Sequence, residues 1–219
     1  MKPWLLFDFD GTVANSIDKI LELINELAPR HGYEQLTPEK FAAVRNLPIH
    51  RGVRSVKMPL YKLSRAISII LSEYRHIIPD LEPCAGIVPV LQELKARGIS
   101  LALISSNHTD NLLAFLHNHQ IDCFDWVEGT SGILKKHNNI LRQIKKHKLD
   151  KEKVIYVGDE ARDIKAARRS DVRIISVAWG LHTAEHLLKF KPDYLVRSPS
   201  EILTIVRELA LSEEDGGHV

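Results

Sequence analysis

The stretch Leu5-Leu6-Phe7-Asp8-Phe9-Asp10-Gly11-Thr12 decides how the chain folds. The apolar run Trp4–Phe7 does not alternate, which suits a strand covered on both faces of a parallel sheet. It stops at two carboxylates spaced two apart, followed by a glycine that lets the backbone turn. In extended chain Asp8 and Asp10 point to the same side, roughly 6–7 Å apart. Two ionised carboxylates at that distance repel by roughly 3 kcal/mol at an effective dielectric of about 20. A fold tolerates this where a cation sits between them, or where one carboxyl stays protonated for acid–base work. A solvated turn would account for the pair taken alone. The carboxyl ends of parallel strands, however, are where open α/β sheets bind ligands.

Further apolar runs lie at Ser100–Ile104, Val154–Val157, Arg173–Val177 and Tyr194–Val196, with a weaker one at Phe124–Val127. Helical periodicity fills the gaps: Val88 to Lys95, Leu112 to Leu116, Ile140 to Ile144, Ala161–Arg169 and Ile202–Leu211. Strand–helix alternation from residue 86 onward predicts an α/β fold with an open parallel sheet and helices on both faces. Residues 16–84 differ. Ile17, Ile20, Leu21, Ile24, Leu27 and Ala28 make one helical stripe, and Leu60, Leu63, Ile67, Ile70 and Leu71 make another. The reading is a catalytic core of residues 1–15 and 85–219, with a helical segment of residues 16–84 inserted after the first strand. The polar tail Ser212–Val219 is expected to fray.

Composition excludes several classes. Of 219 residues, 44% are apolar and 26% charged, with 30 Lys and Arg against 28 Asp and Glu. A net charge of +2 gives no general case for nucleic acid as a partner. Two cysteines, Cys84 and Cys123, are too few for a disulfide scaffold or a cysteine-built zinc site. No run of about 18 apolar residues is present, so no membrane span is expected. The N-terminus does not read as a signal peptide, and the expected location is the cytoplasm. Nothing in the sequence assigns an oligomeric state.

Polar residues cluster at the other strand ends. Ser105-Ser106-Asn107 closes one strand directly before a helix, where a hydroxyl and free amides cradle an anion or cap the helix. Gly158-Asp159-Glu160-Ala161-Arg162-Asp163 closes another with more carboxylates, and Asp163 also suits a helix first turn. Acidic groups from two strand ends facing one another make sense chiefly around a shared divalent cation. An oxygen-only donor set suits Mg²⁺. Lys135 and Lys136 precede a helical stripe and offer a cation for phosphate, with Lys136 preferred by position.

Taken together, Asp8-Phe9-Asp10-Gly11-Thr12, then Ser105, Lys136, and Gly158-Asp159 with Asp163, resemble the haloacid dehalogenase-like hydrolase superfamily. A chance D-x-D-G-T match in this length is on the order of a few in a thousand. The helical insert after the first strand is similar to that of the phosphoglycolate-phosphatase-like group. Asn15-Ser16 stands where many relatives carry Asp-Ser. The resemblance implies a Rossmann-like core with a helical cap. It also implies a Mg²⁺-dependent phosphatase that hydrolyses a small phosphate monoester through an aspartyl-phosphate. Asp8 is then the nucleophile, and Asp10 protonates the leaving oxygen and later activates water. Asp8, the Asp10 carbonyl and Asp159 hold the metal, and Asp163 orients Lys136 or a metal-bound water. Ser105 and Lys136 hold phosphoryl oxygens, and Thr12 steadies the turn. Ser106 and Asn107 either touch phosphate or cap the helix.

Between Lys40 and Ser72 stand seven Lys or Arg residues and no acid, so Arg45, Arg51 and Arg54 are candidates to reach the leaving group. His137 follows the candidate lysine and is a weaker contact. Trp179-Gly180 is expected to pack near the site rim. A dehalogenase of this fold would not need Asp10, because a halide leaves without a proton. A phosphomutase would share every catalytic residue. A phospho-accepting receiver module also uses carboxylates, Mg²⁺ and a lysine, but it is shorter and lacks the insert. The expected partner is a small phosphorylated metabolite.

Overall fold

The computed structural model describes residues 2–47, 49–129 and 136–215. Strand β1 is Trp4–Phe7. Helices α1 (Ile17–His31), α2 (Pro38–Val44), the short α3 (Ile49–Gly52) and α4 (Leu63–Ile77) follow it. Then come α5 (Ile87–Ala96), β2 (Ser100–Ser105), α6 (Thr109–Asn118), β3 (Trp126–Gly129), α7 (Lys136–Lys146) and β4 (Val154–Gly158). The chain ends with α8 (Ala161–Ser170), β5 (Arg173–Val177), α9 (Ala184–Leu188), β6 (Tyr194–Val196) and α10 (Ser200–Asp215). The six strands form one parallel sheet in the order β3-β2-β1-β4-β5-β6. The chain winds one way from β1 to β3 and the other way from β4 to β6, so the order reverses beside β1. That is where such a sheet opens a crevice at its carboxyl edge.

Burial explains why β1 does not alternate. Leu5, Leu6 and Phe7 are all fully buried. Leu5 and Phe7 join Leu101, Val157, Leu91, Phe115 and Ile202 on one face. Leu6 joins Ile104, Tyr156, Ile140, Ile164 and Leu187 on the other. Helices α5, α6 and α10 therefore cover one side, and α7, α8 and α9 cover the opposite side.

The segment between β1 and β2 is helical, with no strand among its described residues. It has its own apolar cluster of Leu27, Ala28, Tyr33, Val56, Met58 and Ala66, packed by Leu63 and Ile70. The two connections to the rest of the chain run side by side. Asn15 N–H donates to the Glu82 carbonyl at 2.8 Å, and Cys84 N–H to the Val13 carbonyl at 2.8 Å. Tyr74, Ile78 and Leu81 pack into the first sheet-face cluster rather than into the insert's own.

Two elements differ from the sequence reading. Strand β3 begins at Trp126, two residues later than expected, because Phe124 packs edge-on to Phe7 at 6.1 Å. Helix α10 runs to Asp215, past the expected stop at Leu211, and takes in the start of the tail. Lys135, residues 216–219 and the side chains of Leu60 and Leu71 lie outside the described residues. Among the described residues, no helix is long and apolar enough to cross a membrane.

Candidate active site

β1 ends at Phe7, and Asp8 begins a tight turn rather than continuing the strand. Asp8 N–H still donates to the Val157 carbonyl at 2.8 Å. The Phe9 carbonyl accepts from Val13 and Ala14 N–H, both at 2.9 Å, which folds the chain back on itself. Gly11 sits at φ +68°, a conformation that favours glycine, and a Cβ there would lie 2.3 Å from Asp159 Oδ2. This turn buries Phe9 against Phe115. The two aspartates make separate hydrogen bonds, Asp8 with Lys136 and Asp10 with Asn107 and Tyr74.

Asp8 joins the ends of β4 and α7. Carboxylate oxygens of Asp8, Asp159 and Asp163, all buried, lie within 4.8 Å of one another. Lys136, the first residue of α7, places Nζ 2.5 Å from Asp8 Oδ2 and also contacts Asp163 Oδ1. The other oxygen of Asp163, Oδ2, accepts from Glu160 N–H at 2.9 Å and so fixes the start of α8. Asp159 is 1% exposed and accepts from Leu181 N–H at 2.6 Å, with the Thr12 hydroxyl at 3.4 Å. No ion pair to Asp159 exists among the described residues. Arg162 pairs with Glu160 instead.

Burial pushes the Asp8 carboxyl up to about 7, with Lys136 opposing and Asp163 adding to the shift. Burial raises Asp159 well above the usual carboxylate range, and Glu160, Asp163 and Asp8 add to it. Burial alone would lower the Lys136 ammonium, but Asp163 and Asp8 outweigh it and hold Lys136 well above its ordinary value. One ammonium is paired with two of the three carboxylates, and among the described residues Asp159 has no ion pair. The donor set therefore fits a hard divalent cation, which would supply the missing charge.

Asp10 has donors of its own. Its Oδ2 accepts from Asn107 Nδ2 at 2.9 Å, and its Oδ1 accepts from the hydroxyl of Tyr74 on α4. Burial raises the Asp10 carboxyl, and the Tyr74 and Asn107 hydrogen bonds oppose that. At the end of β2, Ser105 Oγ accepts from Asn107 N–H at 3.0 Å, with half-buried Ser106 between them. Asn107 does not cap α6. His108 holds that position, and the Asn107 amide is spent on Asp10.

The insert reaches the core at a second place. Arg45 donates from Nε to the Leu181 carbonyl and from a terminal nitrogen to the Gly180 carbonyl, each at 2.5 Å. Asn46 and Thr183 exchange two hydrogen bonds at 3.2 Å. Arg45 thus grips backbone, whereas Arg51 and Arg54 are exposed. Lys40 and Lys57 pair with Glu34 just outside the basic run. His137 contacts Arg169 and Ser170 on α8. Trp179 Nε1 donates to the Thr12 carbonyl at 3.2 Å, which seats this loop beside the turn after β1. Motif spacing singles out neither Tyr74 nor the loop around Leu181. Tyr74 extends the Ile67–Ile70 stripe by one turn, and that spacing is the signal the sequence carries for it.

Residues 5–177 match the model of the haloacid dehalogenase-like hydrolase family. The chain belongs to that family. It is 29% identical over 206 residues to a phosphoglycolate phosphatase of Synechococcus elongatus, covering 94% of this chain and 97% of that protein. It is 25% identical over 219 residues to the pyrophosphatase PpaX of Listeria welshimeri, covering 93% and 96%. Among solved structures, a haloacid dehalogenase-like hydrolase from Streptococcus pneumoniae superposes with a TM-score of 0.79 at 22% identity, covering 93% and 98%. That likeness carries the fold. This haloacid dehalogenase-like hydrolase thus places its D-x-D-G-T turn, its lysine and its acidic strand end around one buried point.

Proposed function

We propose that this chain is a phosphatase that hydrolyses a small phosphate monoester through a phosphorylated Asp8. One observation carries the reading: buried Asp8 sits 2.5 Å from Lys136, within a three-carboxylate cluster at the carboxyl edge of the sheet. Asp8 Oδ attacks phosphorus, and the bond from phosphorus to the ester oxygen breaks. Asp10 gives its proton to that oxygen. Water then attacks the same phosphorus while Asp10 takes a proton from it. The bond to Asp8 breaks, and inorganic phosphate leaves.

Lys136 and Ser105 face the incoming phosphoryl oxygens, and Lys136 also holds Asp8 in line. Asp163 keeps Lys136 in place. Asp8, the Asp10 carbonyl and Asp159 are the groups that would hold Mg²⁺, which when bound neutralises charge between an anionic nucleophile and an anionic substrate. Asp159 and Thr12 support that position from β4 and from the turn.

The names of the relatives put phosphoglycolate first among substrates and pyrophosphate second. An alkoxide leaving group needs a proton more than a phosphate does, and in this reading Asp10, raised by burial, supplies it. The test is phosphate release from p-nitrophenyl phosphate and phosphoglycolate with added Mg²⁺. Activity is expected that a chelator and Asp8→Asn both abolish. Undiminished turnover in Asp8→Asn overturns the assignment. Transfer of the phosphoryl group to a second hydroxyl of the substrate would make the enzyme a mutase.

A further inference from the structure

Asp10 is held from two sides of the molecule. Tyr74, 3% exposed on α4, donates its hydroxyl to Oδ1, and Asn107 Nδ2 from the end of β2 donates to Oδ2 at 2.9 Å. The terminal torsion of an aspartate is broad, so two donors on two oxygens fix a carboxyl plane that packing would leave loose. The two donors are not equivalent. An amide nitrogen only donates, so Asn107 holds Oδ2 as an acceptor throughout. A phenol both donates and accepts, so Tyr74 satisfies Oδ1 with or without a proton on it. A carboxyl that gives a proton in one step and takes one in the next needs a partner of that kind.

With the role of Asp10 under the proposed function as its premise, the geometry points to Tyr74 as a positioning residue for Asp10, so that docking of α4 completes the acid–base apparatus. Tyr74 acts through Asp10. Its ring is not needed to tether the helix by its hydroxyl, because this end of the insert is fastened independently. Asn111 Nδ2 donates to the Arg75 carbonyl at 2.8 Å, and Asn118 Nδ2 to the Pro79 carbonyl at 2.9 Å. Ile78 and Leu81 are buried in the sheet-face cluster. Removing one oxygen from Tyr74 therefore leaves α4 seated and takes away the donor to Asp10 Oδ1.

The experiment compares kcat/KM for two aryl esters that differ in leaving-group basicity, phenyl phosphate and dinitrophenyl phosphate, in Tyr74→Phe, Asp10→Asn and the double variant. The ratio kcat/KM reports the first phosphoryl transfer only, so the water step does not mask the result. Tyr74→Phe is expected to lose about 10- to 100-fold on phenyl phosphate, a part of what general acid catalysis supplies. On dinitrophenyl phosphate, whose leaving group needs no proton, it stays within about twofold of the unsubstituted enzyme. In the Asp10→Asn background, Tyr74→Phe adds no further loss, because the two act as one unit. An equal loss on both esters, or the same further loss without Asp10, overturns the proposal. Hydrolysis by the unsubstituted enzyme that does not depend on Asp8 overturns the parent reading instead, and this proposal with it.

Discussion

Lys136 Nζ lies 2.5 Å from Asp8 Oδ2, although 128 residues separate the two in the chain. The lysine also contacts Asp163, and its side chain is only 14% exposed. It is the only cation paired with the three clustered carboxylates among the described residues. Lys136→Ala leaves Asp8 and Asp163 buried and facing each other. Breaking a buried pair of this kind costs about 3–5 kcal/mol of stability. Loss of a cation at the transferring phosphoryl group lowers kcat by about 100- to 1000-fold. Denaturant unfolding and steady-state kinetics read the two effects separately. Unchanged kcat would remove Lys136 from the chemistry.

Gly180, in the loop after β5, leaves no room for a side chain beside the acidic cluster. A Cβ there would lie 2.3 Å from Asp159 Oδ2 and 2.4 Å from the Gly11 carbonyl. The clash is steric, since the backbone at Gly180 needs no left-handed angle. Gly180→Ala is expected to displace the Asp159 carboxylate and weaken Mg²⁺ binding at least tenfold in calorimetry, roughly the cost of disturbing a ligand's support. An unaltered affinity would place the metal away from Asp159.

Arg45 spends its guanidinium on the carbonyls of Gly180 and Leu181. The charge pattern alone offers it, with Arg51 and Arg54, to the substrate. Arg45→Ala is expected to loosen the insert, seen as faster limited proteolysis within residues 32–62. Arg45→Lys restores little, because one ammonium does not reproduce a two-pronged grip. Arg51→Ala and Arg54→Ala are expected to leave proteolysis unchanged. Equal cleavage in Arg45→Ala and the unsubstituted chain would contradict the clamp.

His182 is pushed down to about 4 by burial, with the His186 ring 4.7 Å away adding to the effect. Its Nδ1 accepts from Ala161 N–H at 2.9 Å and so is unprotonated in the fold. The unfolded chain takes up a proton near the ordinary histidine value of about 6.5, and the folded chain does so only near 4. Stability from this group is thus complete above about 6.5 and falls as pH drops toward 4. His182→Asn keeps an acceptor and removes the titration. It is expected to flatten the loss of thermal stability across that window in metal-free protein. A loss as steep as that of the unsubstituted chain would rule the histidine out.

Much of the fold is legible in the sequence because parallel strands buried on both faces leave unbroken apolar runs, as Trp4–Phe7 and Val154–Val157 do. β3 starts two residues later than its apolar run because apolar density marks packing as well as pairing: Phe124 is packed but lies outside the strand. The site residues at strand ends are legible because sheet topology brings those ends together. What spacing does not encode is which hydrogen-bond partners each of two neighbouring aspartates takes, or which insert side chain meets which core group. Asn107 reads equally well as a helix cap, and only the turn at Gly11 brings Asp10 toward it. Arg45 reads as a free charge because backbone carbonyls leave no trace in a charge pattern.

Burial holds the thiols of Cys84 and Cys123 above their ordinary range, Cys84 up to about 12, with Asp159 adding to the burial effect there. Both are buried and free of disulfides. Neither is expected to react with iodoacetamide at pH 8 in the folded chain, and both react in denaturant. Rapid labelling under native conditions would contradict the packing around β1 and β2.

The measurement that bears most directly on the mechanism is mass spectrometry of enzyme quenched in acid during turnover of a phosphate ester with Mg²⁺. A phosphoryl adduct on the peptide that contains Asp8, absent in Asp8→Asn, is the predicted result. Turnover with no adduct at Asp8, or an adduct on a different residue, would contradict it.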